Sequence, residues 1–241
     1  MPEPMNRPYI KHIGIVGCSA EGAALCYKTI CQEGAALLGE HAHPQISMHT
    51  HSLADYVECL ERGDLDGVAE LMLSSARKIQ ASGADFLICP DNTIHQAMDH
   101  VIPLSPLPWL HIAEVVAAEA VRKGYRRIGL IGTRWLVDSD VYPSRLLAVG
   151  LDHVRPKPGE RERLGEIIMS ELVNGVFDPS SIAYFKKVIE RLKAKGCDAV
   201  ALACTEIPLI INDNNSALPT LDSTRLLARA ALRRAVAPSS P

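Results

Sequence analysis

Two stretches of this 241-residue sequence each occur twice, in the same order and at nearly the same spacing. KHIGIVGC at 11–18 returns as RRIGLIGT at 126–133, and GADFLICPDNT at 83–93 returns as GCDAVALACTE at 196–206. Each copy contains a short continuous apolar run, which is typical of a buried strand in a parallel sheet. The alternative explanation is that the two copies converged independently, since Gly-x-Asp before a buried strand is a common pattern. The repeat favours two similar halves related by a pseudo-twofold axis.

Helical patterns separate these strands and predict the fold class. The segment 64–83, for example, places apolar residues on one helical face and ends at Gly83. A longer helical stretch is predicted over roughly 160–195. Strands alternating with helices indicate an α/β protein, and together with the repeat they favour two pseudo-symmetric parallel-sheet (Rossmann-like) domains. We expect residues 1–100 in the first half, with 210–241 returning to it, and 101–209 in the second.

Composition excludes several classes of partner. The net charge of −3 provides no broad basic surface for nucleic acid, and no apolar run approaches the roughly 18 residues that span a bilayer. The N-terminal sequence lacks the features of a signal peptide. Seven cysteines without a CxxC pair indicate free thiols in a reducing compartment. We therefore expect a cytoplasmic protein without nucleic-acid or membrane partners.

Two reactive side chains follow matched strands of the repeat. Asp91, in ICPDNTIH, falls opposite Cys204, in ALACTEI. Functional groups gather beyond the carboxyl ends of parallel strands, so the two side chains would approach one crevice from opposite sides. A planar carbanion that is attacked from either face needs one acid/base group on each side. Asp91 could instead only cap a helix, and Cys204 could be a core cysteine.

The motifs around these residues resemble a known family. IGIVG, NTIH (92–95), LHIAE (110–114), GTRW (132–135) and CTEI (204–207) together resemble the PLP-independent aspartate/glutamate racemases. The resemblance implies a cleft active site, no cofactor, a small-molecule carboxylate substrate and a homodimer. It also implies that Asp91 and Cys204 are the paired catalytic groups. The family most often has cysteine at both places, so Asp91 is a departure, and desolvation would have to raise its pKa before it could act reversibly.

Further candidate residues would bind the substrate. Asn92, Thr93 and Thr205 would direct hydrogen-bond donors at a substrate carboxylate. Cys18 and Ser19 form the turn before the first helix, whose N-terminus favours anions, and Thr133 occupies the matching turn of the second half. Arg62 or Arg134 could clamp a distal carboxylate. His95 and Glu206 could tune the two bases or cap helices, and no metal site is expected.

These features predict an isomerase. The favoured hypothesis is a cofactor-independent racemase or epimerase of an acidic or small amino acid, in which Asp91 and Cys204 exchange the α-proton. One alternative is a decarboxylase or cis–trans isomerase of a dicarboxylic acid that uses Cys204 alone. The other is a protein that binds a small carboxylate without turning it over.

Overall fold

The computed structural model describes residues 9–238. Residues 1–8 and 239–241 lie outside the described range. They include both ends of the predicted first domain and the start of the N-terminal segment considered as a signal peptide. Within residues 9–238 the strands form two four-stranded sheets, and each strand pair in both sheets is parallel. The predicted α/β fold class is confirmed.

The two sheets have the same topology. The first has the order β2-β1-β3-β4 and the second the order β6-β5-β7-β8, so each strand of one half has a counterpart in the other. This shared order is what the sequence repeat predicts. The strands are β1 (Ile13–Gly17), β2 (Ile46–Thr50), β3 (Phe86–Ile88), β4 (Trp109–Leu110), β5 (Arg127–Gly132), β6 (Asp152–Val154), β7 (Ala199–Ala203) and β8 (Thr220–Asp222).

Helices connect the strands and cover both faces of the sheets. The α-helices are α1 (Ala20–Leu38), α2 (Leu53–Arg62), α3 (Leu65–Ala81), α4 (Met98–Val101), α5 (Ile112–Arg122), α6 (Arg134–Asp138), α7 (Pro143–Ala148), α8 (Pro158–Ser170), α9 (Pro179–Ala194) and α10 (Ser223–Val236). Short 3-10 helices cover Thr93–Ala97, Ile102–Leu104, Leu172–Asn174 and Ile207–Leu209.

Of two predicted helical segments, one forms a single helix and the other is divided into two. The segment 64–83 forms α3, with the Asp64 side chain accepting from the Gly67 N–H at its start. The long stretch over 160–195 is instead two helices, α8 and α9. The chain leaves α8 through a 3-10 turn and Gly175, which has a φ of 71°, and Pro179 then begins α9. The left-handed backbone at Gly175 is incompatible with a continuous helix.

Four apolar clusters bury the two sheets. Helix α3 packs on one face of the first sheet, and α1 and α10 pack on the other. Helices α8 and α9 cover one face of the second sheet, and α5 and α7 cover the other. The division of the chain into 1–100 with 210–241 and 101–209 stays a prediction. By hydrogen bonding, β4 belongs to the first sheet and β8 to the second.

Candidate active site

The carboxyl ends of the central strands from both halves meet at one cavity of about 40 Å³. Cys18 and Ser19 follow β1, Thr133 follows β5, and Cys204 and Thr205 follow β7. The predicted residues after β3 join them, so eight of the ten candidates for catalysis or substrate binding line one cavity, and the exceptions are Arg62 and Arg134. The lining residues are Cys18, Ser19, Leu53, Val57, Leu60, Asp91, Asn92, Thr93, Ile94, Thr133, Trp135, Ile168, Met169, Val173, Cys204, Thr205 and Glu206.

Asp91 both caps a helix and faces the cavity. Its Oδ1 accepts from the backbone N–H of Thr93 at 2.9 Å and of Ile94 at 3.2 Å, at the start of the 3-10 helix. Desolvation by burial and then the charge of Glu206 raise the pKa of Asp91 to about 6, although the two N–H bonds act in the opposite direction. The capping role and a place in the cavity are therefore compatible.

A buried histidine holds the Asp91 loop in place. His95 Nδ1 lies 2.7 Å from the Asp91 carbonyl oxygen, and His95 Nε2 accepts from the Ile112 N–H at 3.4 Å. Since Nε2 accepts, Nδ1 carries the proton and donates it to the carbonyl, which assigns the neutral tautomer. Burial lowers the pKa of His95 to about 4 and keeps the ring neutral at pH 7. His95 is a positioning residue for Asp91.

Cys204 is paired with Glu206, which the sequence analysis names only as a residue that could tune the two bases or cap a helix. The Cys204 thiol donates to Glu206 Oε2 at 3.0 Å, and the Thr205 hydroxyl donates to the same oxygen at 2.7 Å. Burial, followed by the charge of Glu206, raises the pKa of the Cys204 thiol well above its usual value. The thiol form of Cys204 therefore predominates at neutral pH. The position of Glu206 two residues after the cysteine was the available signal.

Two hydroxyl pairs join the halves across the cavity. Ser19 Oγ lies 3.0 Å from Thr205 Oγ1, and Thr93 Oγ1 lies 2.9 Å from Thr133 Oγ1. One hydroxyl of each pair belongs to the N-cap residue of a helix, which is Ser19 for α1 and Thr133 for α6. The other hydroxyl lies just after the candidate catalytic residue of the opposite half. Because the Thr205 proton goes to Glu206, the Ser19 hydroxyl must donate to Thr205. Each half therefore supports the strand-end loop of the other.

Asn92 is a further link between the halves. Its Oδ1 accepts from the Tyr142 hydroxyl at 2.7 Å, and its Nδ2 donates to Ser223 Oγ at 3.0 Å. Ser223 in turn donates to the Leu202 carbonyl in β7. The Asn92 side chain is therefore held by protein groups, and one N–H of its amide is left for a ligand.

Cys18 is enclosed with Asp91. Burial, followed by the charge of Asp91, raises the pKa of the Cys18 thiol well above its usual value, so this side chain is also a thiol at pH 7. The two groups affect one another, because the Asp91 carboxylate raises the pKa of the thiol and the thiol in turn lowers the pKa of Asp91. The first half thus contributes a carboxyl group and a neighbouring thiol to the cavity.

The two arginines proposed as carboxylate clamps do not line the cavity. Arg62, at the end of α2, forms an ion pair with Glu58 at 2.7 Å, and 58% of its side chain is exposed. It lines a separate surface depression, because the i, i+4 pairing with Glu58 holds it on the solvent side of the helix. Arg134 lies beside the Trp135 ring in another depression.

An apolar wall also lines the cavity and was missed by the sequence analysis. Helix α2 contributes three half-buried residues at helical spacing, and the second half contributes four more. The i, i+4, i+7 spacing on α2 was visible in the sequence, but the partner of that face was not. The apolar wall consists of Leu53, Val57, Leu60, Trp135, Ile168, Met169 and Val173.

Residues 9–238 show neither a membrane-spanning helix nor a metal-binding cluster. No helix in this range has the length and apolar composition needed to cross a membrane. In the same range, no three His, Cys, Asp or Glu side chains are grouped as metal ligands would be.

A cavity between two parallel-sheet halves places the protein among two-domain α/β enzymes. The family model for Asp/Glu/hydantoin racemases matches residues 13–231. The chain belongs to the Asp/Glu/hydantoin racemase family, as its motifs predict, and the protein is an isomerase of the amino-acid racemase type.

Individual relatives agree with this assignment. A solved structure from Yersinia pestis, assigned as an Asp/Glu racemase, is 30% identical with a TM-score of 0.86, and the match covers 95% of this chain and 100% of that one. An aspartate racemase homologue from Pyrococcus horikoshii OT3 is 25% identical with a TM-score of 0.81 over the same shares. The broad-specificity amino-acid racemase RacX of Bacillus subtilis (strain 168) is 21% identical over 169 residues, which are 69% of this chain and 71% of RacX.

Proposed function

We propose that the protein is a cofactor-independent racemase or epimerase of an amino acid, in which Asp91 and Cys204 exchange the α-proton from opposite faces. The observation that carries this proposal is the placement of the two side chains. Each follows the equivalent strand of its half, β3 or β7, and both line the same cavity. Asp91 takes the place that a cysteine occupies in most members of the family.

The reaction would begin with Asp91 as the base. Its carboxylate removes the α-proton, and the electron pair of the C–H bond moves into the substrate carboxylate to form an enediolate. The Cys204 thiol then protonates the opposite face of the α-carbon. The product is the other enantiomer, and the enzyme is left with a protonated Asp91 and a Cys204 thiolate. A turnover in the reverse direction, or proton exchange with water, restores the starting state.

The acid–base properties of the two groups support this direction. A pKa of about 6 makes Asp91 a stronger base than an ordinary carboxylate while it stays ionised at pH 7. Its backbone bonds occupy Oδ1, so Oδ2 is the oxygen that can exchange a proton. The raised pKa of Cys204 keeps its proton available for donation. The resting enzyme therefore holds one base and one acid.

Neighbouring groups can bind the substrate carboxylate as its charge increases. Thr93 and Thr133 share one hydrogen bond, so one of their two hydroxyl protons is left for the substrate. The N-terminus of the 19-residue helix α1 opens beside Ser19 and favours an anion. These donors would act where negative charge develops in the transition state.

The oligomeric state, the cellular location and the cofactor independence of the enzyme are proposed as well. We propose that it acts as a homodimer in the cytoplasm and without pyridoxal phosphate, as its family resemblance implies. Sedimentation of the purified protein tests the dimer, and activity after exhaustive dialysis and reduction with borohydride tests the independence from pyridoxal phosphate.

The activity itself is tested with single enantiomers of amino acids in deuterated water. We expect inversion by chiral chromatography and loss of the α-proton signal by NMR, and we expect the rates of both to fall by at least about 100-fold in Cys204→Ser and in Asp91→Asn. Full activity in either variant would overturn the two-base assignment. Release of carbon dioxide from a disubstituted malonate, or conversion of maleate to fumarate, without amino-acid exchange would favour a Cys204-only reaction instead.

A further inference from the structure

The apolar wall lies where the substituent on the substrate's α-carbon would sit. The groups proposed for proton exchange and carboxylate binding come from the loops that follow the strand ends. Helix α2 contributes Leu53, Val57 and Leu60, all three half-buried, to the lining of the same cavity. A carboxylate held by hydroxyls and by the α1 N-terminus would direct the α-substituent of the substrate toward these side chains.

Cationic groups are missing from the part of the cavity that the structure describes. Among the lining residues within 9–238 there is no lysine and no arginine. Arg62 pairs with Glu58 on the solvent side of α2, and Arg134 lies in a separate depression. Neither residue can neutralise a second carboxylate on the substrate in this arrangement.

The cavity already contains two acidic side chains. Asp91 and the buried Glu206 both line it, and their mutual repulsion contributes to the raised pKa of Asp91. A substrate with two carboxylates would place a further negative charge beside them in a poorly solvated site. Such a charge is unfavourable unless a cation or several hydrogen-bond donors compensate for it.

The cavity itself is small, since a volume of about 40 Å³ holds about three water molecules. It shares Cys18, Ser19, Leu53, Val173 and Glu206 with an adjoining depression of about 300 Å³. A short substituent fits the cavity without extending into that depression.

We propose that the substrate carries a small uncharged substituent on its α-carbon, so that the preferred class is small neutral amino acids rather than aspartate or glutamate. The proposal rests on the proposed function, proton exchange at an α-carbon. It assigns Leu53, Val57 and Leu60 to the part of the site that determines specificity.

The test compares substrates that differ in charge at similar size. The kcat/KM of α-deuterium exchange is measured for alanine, 2-aminobutyrate, asparagine and aspartate, of which asparagine and aspartate are nearly isosteric. We expect alanine or 2-aminobutyrate to exceed aspartate by at least about 100-fold, and asparagine to exceed aspartate. Aspartate as the best substrate would overturn this inference and leave the proposed function standing. Exchange with none of these amino acids or glutamate would overturn both.

A second test places a cation in the apolar wall. Val57→Arg should raise the kcat/KM of aspartate relative to 2-aminobutyrate by at least about tenfold, because the guanidinium can pair with the distal carboxylate. Val57→Met, which adds similar length without charge, should leave that ratio unchanged. Thermal unfolding of both variants shows whether they fold. An unchanged ratio in folded Val57→Arg would contradict the assignment of the wall.

Discussion

Ser19 Oγ and Thr205 Oγ1 lie 3.0 Å apart and connect the N-cap of α1 in the first half to the loop that carries Cys204 in the second. The connection continues from the Thr205 hydroxyl to Glu206, which also accepts from the Cys204 thiol. A residue of one half therefore orients the acid of the other through three hydrogen bonds. We infer that the relative position of the halves controls the geometry of the proton donor.

Glu206→Gln should lower the pKa values of both proposed catalytic groups, Asp91 and Cys204. The glutamine keeps an acceptor oxygen but removes the charge that helps to raise the pKa of Asp91 to about 6 and the pKa of Cys204 well above its usual value. We expect the acid limb of the pH profile of kcat/KM to move to lower pH. Alkylation of Cys204, followed by mass spectrometry, should begin at lower pH as well.

Glu58→Gln is the matched control for this substitution, because Glu58 is exposed on α2 and pairs only with Arg62 among the residues that the structure describes. It should leave both pH profiles in place. Profiles of Glu206→Gln that coincide with those of the wild type would show that Glu206 does not set the two pKa values.

Asp91 should make the stability of the wild-type protein depend on pH. Its pKa is about 6 in the folded protein against 3.8 in the unfolded chain. The native state binds more protons between these values, so stability falls as pH rises through this window and stays lower above it. The size of the effect is about 3 kcal/mol.

Asp91→Asn removes the titrating group and keeps an oxygen that can accept from Thr93 and Ile94. Urea unfolding at pH 4 and pH 7 measures the change. The free energy of unfolding at pH 7 minus that at pH 4 should be more positive in the variant than in the wild type by about 2 kcal/mol. The activity of the variant should fall by about 10²- to 10⁴-fold. A pH dependence identical to that of the wild type would mean that Asp91 is not held with a raised pKa.

Gly22→Ala should separate the halves locally. A Cβ at this position would lie 2.4 Å from Thr205 Cγ2, so α1 or the Cys204 loop must move. Overpacking of this kind costs about 1–3 kcal/mol and should also reduce kcat/KM, because Thr205 carries the hydrogen bond to Glu206. Chemical unfolding and steady-state kinetics measure the two effects.

Gly159→Ala provides the comparison, since a Cβ at Gly159, in the first turn of α8, would meet no atom within 4 Å. Alanine is the better helix former by about 1 kcal/mol, so this variant should be slightly more stable and fully active. If Gly22→Ala behaved in the same way, the close approach of α1 to Thr205 would not matter for the enzyme.

Tyr142→Phe should weaken the attachment of Asn92. The substitution removes the hydroxyl that donates to Asn92 Oδ1 and leaves that buried oxygen without its partner. The expected cost is about 1–3 kcal/mol in the free energy of unfolding. The KM for the substrate should also rise if the remaining N–H of Asn92 binds the substrate. An unchanged free energy of unfolding would show that the hydrogen bond from Tyr142 is dispensable.

The fold and the polar residues of the site could be predicted because strand patterns are local. Each repeat copy holds a complete apolar run and the residue that follows it, so the sequence places Asp91 and Cys204 at equivalent strand ends. The apolar wall could not be predicted in the same way. Which surface Val57 faces depends on how α2 lies against the other half, and this packing joins residues more than a hundred positions apart.

The same limitation explains Arg62 and Glu206. The sequence shows that Arg62 is a cation near the motifs, but its pairing with Glu58 turns it toward solvent. Glu206 follows the cysteine motif directly, yet its role depends on the turn after β7, which brings its carboxyl group back to Cys204. Local sequence identifies such residues, and the tertiary structure decides which of them line the cavity.

The most direct test of the two-base account is the fate of deuterium early in the reaction. A single enantiomer of a turned-over amino acid is incubated in deuterated water, and the remaining substrate and the product are separated on a chiral column and analysed by mass spectrometry. Because one group removes the proton and another donates the new one, we predict deuterium in the product enantiomer while the recovered substrate retains its α-hydrogen. Deuterium that enters both enantiomers at equal rates from the start would contradict the account.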